Sequence, residues 1–336
     1  MDNKNSFEEF YEAELVPEIT KMEILRKDFK KKFSIYLAFL GFILLILFSS
    51  TLVEQQSELV NSIFSIIFLV AIFAFFTILI VLIVKYYSFR KKFIPKYKED
   101  VIKTIIQYIN DELKYDAKSK FPRDQYLKSK LFHQRPDRYY GEDYVEGKIG
   151  DTFCRFSELH TQFKTRSGKD NKESWHTIFR GIFFEADFNK QFKTNTFILP
   201  DYLERSLGFI GKKLQSLNFT RPPIVKLEDP EFEKHFVVYG EDQVEARYIL
   251  STSLMKRLTE FREKRKHPVA ISFVNNSIFV AITEHKNLFE PRIFRTNLNM
   301  EVLEEYYSML DLVIGIVDDL NLNNRIWAGS KMKTEL

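Results

Sequence analysis

Two apolar runs, residues 33–53 and 63–84, contain no charged side chain and are separated only by the short connector 54–62. As helices they reach roughly 31–33 Å, about the thickness of a bilayer's hydrocarbon core. Both are apolar on every face, whereas a core helix of a soluble protein keeps a polar stripe. The first run starts only at Phe33 and a second follows at once, which argues against a cleavable signal peptide. The chain therefore reads as a membrane hairpin, and the rest of it must lie beside the membrane on one face. Asn61 and Ser62 are placed to cap the second helix.

Flanking charge gives the expected orientation. Lys21, Arg26, Lys27, Lys30, Lys31 and Lys32 precede the first run, against Glu23 and Asp28. Lys85, Arg90, Lys91, Lys92, Lys96 and Lys98 follow the second, with no acid before Glu99. The connector has two acids, Glu54 and Glu58, and no base. Lys and Arg stay on the cytoplasmic side, so both termini are expected in the cytoplasm. Lys27, Lys30, Lys31, Lys32, Lys85, Arg90, Lys91 and Lys92 either set this topology alone or also hold anionic lipid headgroups. The overall charge of +4 is too small to argue for nucleic acid as a partner. The single cysteine, Cys154, cannot form an internal disulfide and fits a reducing compartment. Its surroundings, Thr152-Phe-Cys-Arg-Phe, predict a packed strand residue rather than a nucleophile.

Helical periodicity continues on both sides of the hairpin. Ser6 and Glu9 form a capping box. Phe7, Phe10, Tyr11, Leu15, Ile19, Met22, Leu25, Phe29 and Phe33 then recur every three or four residues, as do Phe89, Phe93, Tyr97, Val101, Ile102, Ile105, Ile106, Ile109 and Leu113. The two stripes predict an antiparallel stalk, with Pro17 and Pro95 each kinking or interrupting a helix. The alternative is an N-terminal segment lying on the membrane; its acids Glu8, Glu9, Glu12, Glu14 and Glu18 argue against that.

From about Phe121 the texture changes to alternating runs bounded by turn residues. Strands are expected at 143–149, 152–163, 175–186, 196–199, 224–227, 236–239, 269–274 and 278–283. Arg166 to Lys172 reads as a polar hairpin tip, and Asn275-Asn276 as a two-residue turn. Helices are expected at 202–216, 243–250, 253–266 and 300–320. The last carries Asp318-Asp319 near its expected end, unfavourable for the helix dipole. The class is α+β with a mainly antiparallel sheet, and closure by the last helix in the pleckstrin-homology manner is one arrangement of these elements. The expected organisation is an N-terminal helix (1–32), a first span (33–53), a loop (54–62), a second span (63–84), a stalk helix (85–118), the α+β domain (119–320) and a C-terminal tail (321–336).

Catalytic signatures are missing from the sequence. The six histidines form no H-x-x-x-H or H-E-x-x-H, and no second cysteine is available for zinc. His160 and His176 are placed to face each other across a hairpin, a weak ligand pair. Neither G-x-S-x-G nor a P-loop occurs, and no cofactor is implied. Gly141 to Gly150 reads as a turn, a strand and a turn. Glu228, Asp229 and Glu231, with Glu241 and Asp242, are the candidate acid–base groups. Capping explains them more simply, with Asp229 starting a turn and Asp242 and Glu245 forming a capping box. Arg262, Lys264, Arg265 and Lys266 form a basic run at a helix end, suited to the dipole or to a partner.

The stretches 177–190 (Thr-Ile-Phe-Arg-Gly-Ile-Phe-Phe-Glu-Ala-Asp-Phe-Asn-Lys), 196–201, 227–240 and 242–250 resemble bacterial membrane proteins that carry the domain of unknown function 3137. The likeness covers most of 143–291, and the preceding hairpin fits it. It implies a bacterial cytoplasmic-membrane protein and a LemA-type membrane protein as partner. It supplies no catalytic residue. Two functions are carried forward. One is a non-catalytic module that binds a membrane protein or a lipid headgroup. The other is a membrane-tethered, hydrolase-like enzyme using carboxylates such as Glu228, Asp229 and Glu231, or histidines.

Overall fold

The computed structural model describes residues 7–50, 58–167, 172–187, 192–201 and 222–332. The helix expected at 202–216 and the centre of the hairpin tip at 168–171 lie outside these residues. The chain divides into two units: residues 1–102 with 290–300, and residues 103–289 with 301–336.

The first unit is the hairpin and its stalk. Helix α1 (Val16–Ser50) follows a wide π turn at Tyr11–Leu15, in which the Val16 N–H donates to the Tyr11 carbonyl. Helix α2 (Glu58–Tyr97) contains Pro95 and runs into a second wide turn at Lys98–Ile102. The expected interruptions at Pro17 and Pro95 are therefore absorbed by wide turns close by, and helix continues on both sides. Each π turn takes up one extra residue, which rotates the apolar stripe that follows. The stalk is antiparallel: Phe29 stacks on Phe89 with ring centroids 4.0 Å apart, and Lys85 lies 5.2 Å from the Tyr36 ring centre. Leu15, Ile19 and Met22 on one strand of the stalk, and Phe93, Tyr97 and Val101 on the other, are buried.

Beyond Phe33 this burial ends. None of the most apolar stretch of the first helix is buried, and only 6% of that of the second. Phe42, Phe48, Leu69 and Phe73 point outward, Phe73 with 76% of its surface exposed. Both helices are long and apolar enough to cross a membrane.

The second unit is an antiparallel sheet domain with helices. Its strands are β1 (Lys114–Asp116), β2 (Arg138–Ile149), β3 (Thr152–Ser167), β4 (Lys172–Asp187), β5 (Thr196–Pro200), β6 (Ile224–Val225), β7 (Phe236–Gly240), β8 (Val269–Val274) and β9 (Ser277–Thr283). They form one sheet in the order β1-β2-β3-β4-β9-β8-β5-β7-β6. The helices are α3 (Lys103–Ile109), α4 (Arg123–Lys128), α5 (Pro230–Glu233), α6 (Gln243–Ile249), α7 (Thr252–Arg265) and α8 (Met300–Met332). The sheet is open, which corrects the pleckstrin-homology-like closure. Its edge strands β1 and β6 are only three and two residues long and offer few backbone groups to join.

Both faces of the sheet centre are covered, so β8 is buried along its whole length and reads as a continuous apolar run. Phe179, Phe183, Phe279 and Ala281 meet Phe121, Tyr126 and Leu131 on one face. Phe156 and Phe184 meet Leu310, Val313 and Ile314 of α8 on the other. Asn275 takes φ 56° in the tight β8–β9 turn, as its sequence demands. At Gly141 the expected turn is instead part of β2, and the irregularity falls later, between Glu142 and Val145, where Asp143 adopts φ 61°. Helix α8 continues past Leu320 to Met332, so Asp318 lies in its interior.

Candidate functional site

The basic flanks gather at the junction between stalk and apolar helices. Lys27, Lys30, Lys31, Lys32, Lys85, Lys91 and Lys92 are exposed, and Arg90 is half-buried. Two acids here are paired: Asp28 with Lys32 at 2.7 Å, and Glu290 with Arg90 at 3.3 Å. The second pair brings in a segment distant in sequence, Glu290–Met300, which belongs to the stalk unit.

That segment is fastened by a buried polar cluster. Glu23 accepts from Arg26 Nε at 2.9 Å and Nη2 at 2.7 Å, and the two side chains are only 2% and 6% exposed. The same carboxylate accepts the backbone N–H of Asn297 at 2.8 Å and its amide Nδ2 at 3.2 Å. Asn297 also closes a small loop: its Oδ1 accepts from the Arg292 N–H at 2.7 Å, and its Nδ2 donates to the Arg292 carbonyl at 3.0 Å. Burial pushes the Glu23 carboxyl up. The bonds from Arg26 and Asn297 outweigh it, so the pKa lies below the ordinary carboxylate value. At the tip of this loop Phe294 stacks on Tyr86 at 6.0 Å, with planes 2° apart, and contacts Phe33 at 5.5 Å.

The expected basic run at 262–266 lies at the C-terminus of α7. Arg262 donates to the Lys266 carbonyl and caps the helix end. Lys266 takes φ 59°, and Lys264 and Lys266 are exposed. Arg265 reaches α8, pairing with Glu304 at 3.1 Å. One residue further, His267 joins two elements. Its Nδ1 lies 3.2 Å from Glu284 at the end of β9, and its Nε2 lies 3.0 Å from Glu305 of α8. The three residues offer ligand atoms within 4.8 Å of one another, which is the spacing of a metal centre. Yet each ring nitrogen already faces a different carboxylate, and Glu284 is held by the N–H groups of His285 and Lys286 at 2.6 and 3.0 Å. A single ion would have to turn the ring or displace Glu305 to collect all three. The arrangement serves better as a clasp of α8 onto the sheet.

The other anticipated groups are dispersed. Asp229 caps α5 by accepting from the Glu231 and Phe232 N–H groups, Glu231 pairs with Lys234 at 2.6 Å, and Glu228 is exposed. Asp242 caps α6 as expected, but Glu245 does not complete the capping box. It turns away to accept from the Lys193 and Thr194 N–H groups at 2.9 Å. His160 stands opposite Arg180 and His176 opposite Phe163, so the two histidines do not meet. Cys154 is buried in β3, and burial raises its thiol to about 12.

Glu23, Asn297, Phe294, Glu284 and Glu305 were not singled out from sequence. Glu23 was visible only as an acid in a basic flank, and the partners that define the others lie far away along the chain. No curated protein and no solved structure matches this chain. Residues 177–322, from β4 into α8, match the model of the family described as protein of unknown function (DUF3137), the family that its sequence phrases resemble.

Proposed function

We propose that this is a two-span protein of the bacterial cytoplasmic membrane, with both termini inside. Its α+β domain is a non-catalytic binding module for a membrane protein or a lipid headgroup. One observation carries the reading: α1 and α2 expose large apolar side chains all round, and their stalk-side ends are ringed by exposed lysines. Bacterial origin rests on the family likeness. The acid–base candidates expected from the sequence support a binding role, because Asp229 and Asp242 cap helices, Glu231 is paired with Lys234, and His160 and His176 stand apart. A LemA-type protein is the partner that the resemblance brings forward.

Topology is tested by a Gln55→Cys variant. A membrane-impermeant maleimide should label it in intact cells and leave Lys91→Cys unlabelled; the reverse pattern refutes the orientation. Binding is tested by crosslinking in cells, purification and mass spectrometry. One reproducible membrane partner, lost when residues 121–336 are deleted, supports the module. A second reading, the tethered hydrolase-like enzyme, is favoured by His267 with Glu284 and Glu305. It requires a hydrolytic activity of the full chain that His267→Ala abolishes.

A further inference from the structure

We infer that the loop Glu290–Met300 is a second membrane contact, which holds Phe294 at the headgroup level and presents Arg292 and Arg295 to anionic phospholipid. The inference rests on the reading that α1 and α2 cross the bilayer. Its ground is position. Glu23, where the loop is fastened, lies roughly 15 Å along α1 from Phe33, and Arg90 about 9 Å along α2 from Val84. From these two anchors the loop reaches the boundary itself, because Phe294 packs against Phe33, the first residue of one apolar run, and Tyr86, just past the end of the other.

Composition at the tip suits an interface. Phe294 retains 44% of its surface exposed although it is stacked, and Arg292 and Arg295 on either side are exposed. An aromatic ring flanked by guanidinium groups is the pairing that bilayer interfaces favour, with the ring among the headgroups and the cations on phosphate. The tip is also preorganised. Asn297 holds both backbone groups of Arg292, and Thr296 Oγ1 accepts from the Leu298 N–H at 3.2 Å. Little conformational freedom is left to lose on contact with lipid. The nearby acids Asp28 and Glu290 are neutralised by Lys32 and Arg90, so they do not repel an anionic headgroup. Two cations near the surface favour an anionic over a zwitterionic headgroup by roughly 25-fold.

The test uses the full chain in liposomes, in a background where Trp175 and Trp327 are replaced by Phe. Phe294→Trp places a reporter on the loop, and Phe73→Trp places one within the second apolar helix. Lipids brominated high on the acyl chain should quench Trp at 294. In a mixed bilayer, brominated phosphatidylglycerol should quench it at least about twofold more than brominated phosphatidylcholine at equal mole fraction. Arg292→Gln with Arg295→Gln should remove that preference and leave total quenching in place. Quenching at 73 without quenching at 294 overturns the loop contact while the spans stand. Equal quenching by the two lipids overturns the anionic selectivity. Absence of quenching at both positions overturns the spanning reading and the loop contact together.

Discussion

Glu23→Gln should release the loop Glu290–Met300 from the stalk. Gln keeps an oxygen for the Asn297 N–H and Nδ2 groups, so the loss is confined to the charge facing Arg26. Both side chains are almost wholly buried, at 2% and 6% exposure, and Arg26 Nη1 finds no hydrogen-bond partner among the described residues. Removing one member of such a pair leaves an uncompensated charge and typically costs about 3–5 kcal/mol. At the lower bound the loop-opening equilibrium rises roughly 150-fold. Trypsin reads this directly, because Arg292 and Arg295 lie on the exposed tip, and hydrogen exchange at Asn297 reads it a second way. The double variant Glu23→Leu with Arg26→Met removes both charges. It should open less than Glu23→Gln alone, losing only the acceptor for Asn297, about 1–3 kcal/mol. Acid should act like the mutation. The lowered carboxyl pKa of Glu23 means that its contribution is complete above the unfolded value of 4.5 and is lost as pH falls through the lower folded value. Docking should thus be flat from pH 7 to 5 and weaken below 4.5. Unchanged cleavage and exchange in Glu23→Gln, or a double variant that opens more than the single, would refute the reasoning.

Three further outcomes are expected. Cys154, buried and with its thiol raised to about 12, should resist a thiol-specific disulfide reagent at pH 8 in the native protein and react fully once unfolded; native labelling at the unfolded rate contradicts its burial. His267→Ala should lower stability by about 1–2 kcal/mol by unfastening α8 from β9, and added zinc should not raise the melting temperature of the wild type; a zinc-dependent rise that His267→Ala abolishes would make the cluster a metal centre instead. Gly181→Ala should prevent stable folding of the sheet domain, since φ is 142° and a Cβ there would overlap the Ile282 carbonyl; soluble expression of the variant with wild-type melting would contradict the β4–β9 pairing.

Local signals in this chain were legible and distant ones were not. The apolar runs, the stalk stripes, the alternation of β3 and β4 and the short continuous apolar runs of β8 and β9 each arise from a few neighbouring residues, so their positions follow from pattern alone. Asp242 announces its cap in the same way, because a cap is completed within three residues, whereas Asp229 reads only as the start of a turn. β1 is not legible because three residues carry too little alternation to read. α5 is not legible either, because its four residues form a single turn, set by Asp229 and Pro230. Closure of the sheet is not legible for a different reason. Element order does not encode which strand ends at an edge, and here two of the shortest strands occupy both edges.

The candidate site illustrates the limit most clearly. Glu23 reads locally as an i,i+3 partner of Arg26 on a cationic helix, worth a few tenths of a kcal/mol if exposed. What makes it consequential is Asn297, 274 residues away, which excludes water from the pair and takes up the remaining carboxylate lone pairs. The same holds for Phe294, an ordinary loop aromatic until Phe33 and Tyr86 are placed beneath it. His267 is likewise a lone histidine after a helix until Glu284 and Glu305 arrive from two other elements. In each case residue type is compatible with many roles, and long-range contact selects one by changing the dielectric and the partners around it. A sequence lacking motifs can therefore still hold defined polar sites. Here those sites join elements to one another, and the loop tip turns its charge and its ring outward.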